Sequence, residues 1–533
     1  MVSSPNYLAS DAGAAVLRRG GTAIDGAIAA AAVLSVVYPH MCSIGGDNFW
    51  LIWDARARAL RALNGSGRSG ARCSIEAYAE RGVTGTIPYR GFLAANTVPG
   101  AVDGWGTAYA YSREALGSSM PWADLLQDAI GYAEGGYPVT PGQEFYTALN
   151  LEPAPADRRN LQCFEGFRRS YLAAGARAPR HGEVLRQPQL ARTLEAVARH
   201  GARAFYEGPI ARQMAAYLEA GGGLLGEQDF AAHHSDWVEP LRIRYRDVVA
   251  VGFPPNTQGL AALSILNILN HFDVRSLGEG TADYVHALVE ATKLAFADRD
   301  RWVTDPAFLK APTDRLLDPA YGRDRARQIR MDRAGHYPPG DVGGDTVFLA
   351  AVDEVRNAVA LIQSIYHDFG SAIVAGDTGV LLQNRGAFFS LDPKHPNRLE
   401  PRKRTFHTLI PAMLLREGRP LLVYGTMGGE GQPQTQAAIV TRILDFGMNV
   451  QEAIEAPRWL YGRTWGEATG ALQLEGRFPE AVTEDLARRG HPVRRLEDWT
   501  DTMGHAQGVQ IDPTTGILWG GADPRGDGAA IGF

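Results

Sequence analysis

Apolar residues recur at three- and four-residue spacing from Leu8 to Arg19, where Gly20-Gly21 ends the run, and again from Ala23 to Val37, which stops before Pro39. Both segments are predicted as core helices. Phe49–Asp54 and Leu60–Leu63 read as strands, followed by the small polar loop Asn64-Gly-Ser-Gly-Arg-Ser-Gly70, which suits a close backbone approach to a ligand. From Trp122 to about Tyr321 the pattern is mainly helical, with Gln189–His200, Pro209–Glu219, Leu260–Leu269 and Ala282–Asp298 as its clearest stretches. Strand signals interrupt it at Leu241–Tyr245 and Val248–Phe253.

Asp332–Gly344 is polar and broken by Pro338-Pro339-Gly340 and Gly343-Gly344, and reads as a loop or linker that need not pack. After it the period changes to two: Thr346–Asp353 and Asn357–Ile365 are predicted as strands joined by Glu354-Val-Arg356, with further strands at Leu409–Leu415 and Leu421–Tyr424. Helices at Thr435–Leu444 and Val450–Ala456 and one last strand region around Gly508–Trp519 complete the pattern, with no internal repeat.

Composition narrows the classes. A chain of 533 residues that is 45% hydrophobic and 21% charged can bury a sizeable core, which excludes global disorder. A net charge of -6 argues against a phosphate-backbone binder, so no nucleic-acid partner is expected. Cys42, Cys73 and Cys163 are too few and too scattered for a disulfide framework or a cysteine zinc site. The longest apolar run, Thr22–Tyr38, holds Asp25 and falls short of the roughly 20 residues of a membrane span. No secretory signal is visible at Met1-Val-Ser-Ser-Pro5, so the expected compartment is the cytoplasm, or the periplasm if a leader was trimmed.

Two places carry candidate chemistry. Thr346 opens a strand directly after the flexible loop. Threonine is common at strand starts for its β-propensity, but cleavage of the Asp345-Thr346 peptide would free an α-amino group, pKa about 8, able to act as base for the Thr346 hydroxyl. In Tyr424-Gly-Thr-Met-Gly-Gly-Glu430 a strand runs into Gly428-Gly429 and then a helix. Gly-Gly forms turns, and it also leaves two adjacent N–H groups free to meet one oxygen, as in an oxyanion hole. His233-His234 with Asp229 and Asp236 make a poor metal site, because adjacent side chains point to different faces. The mechanism asks for no metal and no cofactor.

Taken together, the chain resembles the γ-glutamyltransferase family of N-terminal nucleophile hydrolases from Ser4 to about Gly526. The resemblance rests on ordered blocks: Leu8-Ala-Ser-Asp-Ala-Gly13, Gly20-Gly-Thr-Ala-Ile-Asp25, Ile44-Gly-Gly46, Val98-Pro-Gly100, Ala204-Phe-Tyr-Glu-Gly208, Pro254-Pro255 with Gly259, and Ala297-Asp-Arg299. Later come Asp345-Thr346, Phe369-Gly-Ser371, Gly428-Gly429, Asp445-Phe-Gly-Met-Asn449, Ala456-Pro-Arg458 and Asp523-Pro-Arg525. The resemblance implies a four-layer αββα fold made as one intertwined precursor that cuts itself between Asp345 and Thr346. It implies a large subunit of residues 1–345 and a small subunit of residues 346–533, and leaves open a homodimer of such heterodimers. It also implies Thr346 as nucleophile, Ser364 as a second hydroxyl beside it, and Gly428 and Gly429 as the oxyanion pair.

The departures bear on substrate. Family members that recognise γ-glutamyl groups hold the α-carboxylate with an arginine in the early loop; the aligned position is Ser66, with Arg68 two residues on. They hold the α-amino group with an acid after a Leu-Leu-x-Asn segment, yet Leu381-Leu-Gln-Asn384 leads here to Arg385-Gly-Ala-Phe388. Their serine pair is replaced by His407-Thr408. A buried substrate ammonium would lose its counter-charge, at a cost of several kcal/mol. The Gln383-Asn-Arg-Gly386 and Asn64-Gly-Ser-Gly-Arg68 blocks resemble the branch of oxamate amidohydrolases and cephalosporin-acylase-like proteins. An anionic amide is the expected substrate, with Arg68, Ser66, Arg385, Tyr366, His407 and Thr408 as candidate contacts. Two alternatives stay open: a γ-glutamyl hydrolase or transpeptidase acting on glutathione-like compounds, and an uncleaved scaffold without catalysis.

Overall fold

The computed structural model describes residues 1–152, 160–336, 345–462 and 470–533. In chain order, the strands of its two large sheets are β1 (Val2–Ser4), β2 (Asp47–Asp54), β3 (Ala59–Gly65), β4 (Asp236–Val238), β5 (Leu241–Tyr245), β6 (Val248–Gly252), β7 (Asp345–Val352), β8 (Ala358–Tyr366), β9 (Ala412–Arg416), β10 (Arg419–Thr426), β11 (Ala506–Ile511), β12 (Leu518–Ala522) and β13 (Ala529–Ile531). One sheet runs β13-β1-β7-β8-β2-β3-β4 and the other β12-β11-β10-β9-β6-β5.

Alternation along β7 shows how the layers stack. Phe348, Ala350 and Val352 enter a core between the sheets with Phe49, Leu51, Val251, Met413 and Val423. Their neighbours Val347, Leu349 and Ala351 face outward onto a helical layer that includes Ala23–Val37. Behind the second sheet, Tyr245, Ala250, Leu414 and Leu422 pack on the helices Gly259–Leu269, Ala282–Trp302 and Gly431–Leu444. The order is helix, sheet, sheet, helix. A strand buried on both faces needs apolar residues at nearly every position, and β7 and β8 have them.

The helix Ala23–Val37 explains the charge in the longest apolar run. Asp25 accepts from the Thr22 N–H at 2.9 Å in a capping box, and takes further bonds from Ser112 and Ser118. The alanines then bring the helix close against the sheet. Among the described residues no helix is long and apolar enough to cross a membrane.

Three expectations change. The last strand region is two strands, β11 and β12, joined by the turn at 512–517. The short β1 and β13 were not anticipated; they pair with each other, and β1 also pairs with β7. The start of the linker is packed: Ala334 N–H donates to Arg489 O, and Gly335 is clamped between Glu290 and Lys293. Residues 337–344 of that linker lie outside the described residues.

Candidate active site

Strand register gathers the candidate residues at one end of the sandwich. Asp345 pairs with Tyr366, Asp47 with Ser364, and Asn48 with Gly65, so β7 and β2 begin where β8 and β3 end. In the second sheet β10 passes Gly425 directly over Phe348: a Cβ there would lie 2.4 Å from the ring. At the far end Trp53, Arg356, Leu421 and Ile511 line one groove. The start of β10 therefore faces the end of β7, and its exit through Met427 to Gly429 faces the end that holds Thr346.

Thr346 lies on the same face of β7 as Phe348 and is fully buried, and its Oγ1 has no hydrogen-bond partner among the described residues. Beside it the pairing of β8 slips between Gln363 and Tyr366, a bulge in which Tyr366 takes a φ of 83°. Ser364 Oγ accepts from Tyr366 N–H at 2.8 Å and from Arg385 Nη2 at 2.9 Å. Gly46 makes room for this bend, since a Cβ there would sit 2.2 Å from Ser364 O.

Arg385 is the dominant charge. Its Nη1 donates to Thr408 Oγ1 at 3.3 Å and its guanidinium lies 4.7 Å from the centre of the Tyr366 ring and 5.5 Å from that of Phe388. Burial pulls its pKa down to about 10, against the opposing charge of Asp47, so it remains a cation at neutral pH. Asp47, the carboxylate whose charge acts on it, is paired with His407 instead, and among the described residues the Arg385 Nε is buried without a partner. A buried guanidinium with an unused donor has the chemistry to receive an anion.

His407 plays a different part from the anion contact expected of it. Its Nε2 lies 3.0 Å from Asp47 Oδ2, while Asp47 Oδ1 accepts from Gly67 and Gly100 N–H at 3.0 Å each. Burial alone would raise the Asp47 carboxyl, but the His407 hydrogen bond, the Gly67 N–H and Arg385 together hold it below its ordinary value. Burial, reinforced by Arg385, pushes His407 down to about 3, so the ring is neutral. Its proton sits on Nε2, facing the carboxylate, and its unpartnered Nδ1 is a bare acceptor that offers an anion nothing.

The other candidates divide. Ser66 Oγ donates to Asn64 Oδ1 at 2.6 Å and accepts from Asn256 Nδ2 at 3.3 Å, so it braces the loop. Arg68 turns away to Asp236 at 3.0 Å, sharing that carboxylate with Arg404, and lines a separate groove of about 920 Å³. The loop's closest backbone approach is to its own chain: a Cβ on Gly67 would lie 1.5 Å from Val98 O.

The glycine pair sits at the mouth of a helix N-terminus, Gly431–Leu444, where partial positive charge collects. Gly428 and Gly429 have φ of 122° and 50°, conformations that glycine adopts without strain. Thr426 Oγ1 donates to Met427 O at 2.6 Å, and Gly431 N–H donates to Gly428 O at 2.7 Å. With those carbonyls tied, the trans peptides turn the N–H groups of Gly428 and Gly429 the opposite way, and neither has an acceptor among the described residues.

Sequence reasoning missed Asp47, Gln258 and Asn256. Asp47 had a signal: a charge directly after Gly45-Gly46 at the head of an apolar strand. Among the described residues one group, His286, Glu290 and His491, converges closely enough to hold a cation. Its atoms are already engaged: His286 Nδ1 lies 2.8 Å from His491 Nε2, and Glu290 takes the Lys293 ammonium at 2.7 Å.

Known proteins resemble this chain along its length. The family model described as gamma-glutamyltranspeptidase matches residues 9–533. The chain is 46% identical to the glutathione hydrolase-like YwrD proenzyme of Bacillus subtilis, over 100% of this chain and 98% of the relative. It is 45% identical to the oxamate amidohydrolase proenzyme of Klebsiella pneumoniae, with the same coverage. The crystal structure of a cephalosporin acylase from Bacillus halodurans superposes with a TM-score of 0.90 at 38% identity, covering 99% of this chain and 94% of that one.

Proposed function

The chain belongs to the gamma-glutamyltranspeptidase family of N-terminal nucleophile hydrolases, and from that premise we propose that it cleaves itself before Thr346 and then hydrolyses a small anionic amide such as oxamate. The observation that carries the substrate reading is Arg385, a buried guanidinium on Ser364 with a free Nε and no carboxylate partner among the described residues. A substrate carboxylate there gains a charge-assisted bond. A substrate α-ammonium there meets a like charge, which weighs against glutathione and its analogues. Two relatives of nearly equal identity carry different substrate names, so the choice rests on this residue rather than on similarity.

In this reading the precursor yields two subunits, residues 1–345 and 346–533. The new Thr346 amine takes the hydroxyl proton as Oγ1 attacks the amide carbonyl. The N–H groups of Gly428 and Gly429 receive the developing oxyanion. Collapse breaks the C–N bond, the amine delivers the proton to the leaving nitrogen, and water then hydrolyses the threonine ester. Apart from that water and the substrate, the groups in this sequence are the chain's own.

The test compares oxamate with γ-glutamyl-p-nitroanilide as substrates of the wild type and of Arg385→Gln. The wild type is expected to prefer oxamate, and the variant to lose roughly 10- to 100-fold in kcat/KM, the scale of one charge-assisted hydrogen bond. Faster turnover of the γ-glutamyl compound by the wild type, with Arg385→Gln indifferent to oxamate, would favour the glutathione-hydrolase reading.

A further inference from the structure

The glycine pair has more backbone freedom than any other dipeptide, yet an oxyanion hole works only if its donors are fixed before charge develops. Thr426 and Gly431 fix two of the carbonyls in this turn. The third, Gly429 O, accepts from Gln258 Nε2 at 2.8 Å, and the second hydrogen of the same amide goes to Thr408 O at 2.9 Å. Gln258 therefore ties the glycine turn to the segment that carries Thr408, whose Oγ1 holds Arg385.

The orientation of the Gln258 amide is itself determined. Its Oε1 accepts from Arg299 Nη1 at 3.0 Å, and a guanidinium can only donate, so the oxygen must face Arg299 and the NH2 group must face the two carbonyls. Arg299 is fully buried in the helix Ala282–Trp302, with Nε on Asp300 at 2.7 Å and Nη2 3.7 Å from Glu430, the residue after Gly429. The Gln258 backbone is anchored too, its N–H donating to His407 O at 2.9 Å. Gln258 and Arg299 both precede Thr346 in sequence, whereas Thr408, Gly429 and Glu430 follow it.

We propose that Gln258, oriented by Arg299, is a positioning residue that sets the oxyanion glycines from across the cleavage site, so that the hole is complete only while the two pieces stay associated. The proposal rests on the reading of Thr346 and Gly428-Gly429 given above. Mutating Gln258 to Met keeps the length and removes both donors. The expected result is a fall in kcat of about 100-fold, the scale of a misplaced reacting group, with KM nearly unchanged, both taken per processed chain as counted by mass spectrometry. Arg299→Met, which frees the amide to rotate, is expected to give a smaller loss of the same kind. Gln258→Glu adds a readout that a scaffold role would not move: its kcat is expected to recover as pH falls and the protonated carboxyl regains a donor. It also serves in place of Gln258→Met if that variant does not fold. A wild-type kcat in Gln258→Met, or a pH profile for Gln258→Glu parallel to wild type, overturns the proposal. Thr346→Ala separates the two failures: if it stays active the nucleophile reading falls, and if it is dead while Gln258→Met is unaffected only the role of Gln258 falls.

Discussion

At the scale of single residues, the site is built from a few groups held in place by their partners. Ser364 accepts from two donors, His407 gives its only proton to Asp47, and Arg385 keeps a free Nε. Gly46 underlies this arrangement, because Ser364 O passes 2.2 Å from where its Cβ would be. Gly46→Ala is expected to destabilise the fold by about 1–3 kcal/mol through overpacking and to lower activity by shifting Ser364. Denaturant unfolding beside kcat measures both, and a variant with wild-type values in each would remove Gly46 from the account. The identity of these residues was legible in the sequence, since Arg385 stands where an acid was expected. Their roles were not, because whether His407 is a cation or a neutral acceptor depends on burial and on Asp47, and neither is visible along the chain.

At the scale of elements, alternation made β7, β8 and the buried helices readable: strands of eight or nine residues, and helices longer still, repeat their period often enough to be recognised. The three-residue β1 and β13 have no period to repeat and exist because they pair with each other and β1 pairs in turn with β7. The clamp on the linker was hidden for a similar reason: it joins the helix Ala282–Trp302 to residues near 330 and 490. There His286 Nε2 meets Arg330 O at 2.9 Å and His286 Nδ1 meets His491. Burial, then Lys293, His286 and Arg489, hold His491 down to about 3, and burial also lowers His286. Both pKa values are depressed on folding, so the stability from keeping these rings neutral is full above the unfolded value near 6.5. It is lost as pH falls from there toward 3. The melting temperature is expected to drop across that window, and less steeply in His491→Gln; identical pH slopes in the two proteins would contradict this part of the account.

At the scale of the whole molecule, the four layers place the start of β7 and the exit of β10 at one end of the sandwich, and the family comparison places the chain among proteins named as proenzymes. In the proposed function, a nucleophile made only when a peptide bond breaks would tie activity to processing, and the Arg299–Gln258–Gly429 chain would tie it again to contact between the two pieces. The central claim is that Thr346 becomes an N-terminus. The measurement that tests it most directly is the intact mass of the freshly purified protein beside Thr346→Ala. Two pieces of roughly 37 and 20 kDa, in proportion to chain length, in the wild type only, with Thr346 as the first residue of the smaller one, is the expected result. A single 57.6 kDa species in both proteins after prolonged incubation would contradict it.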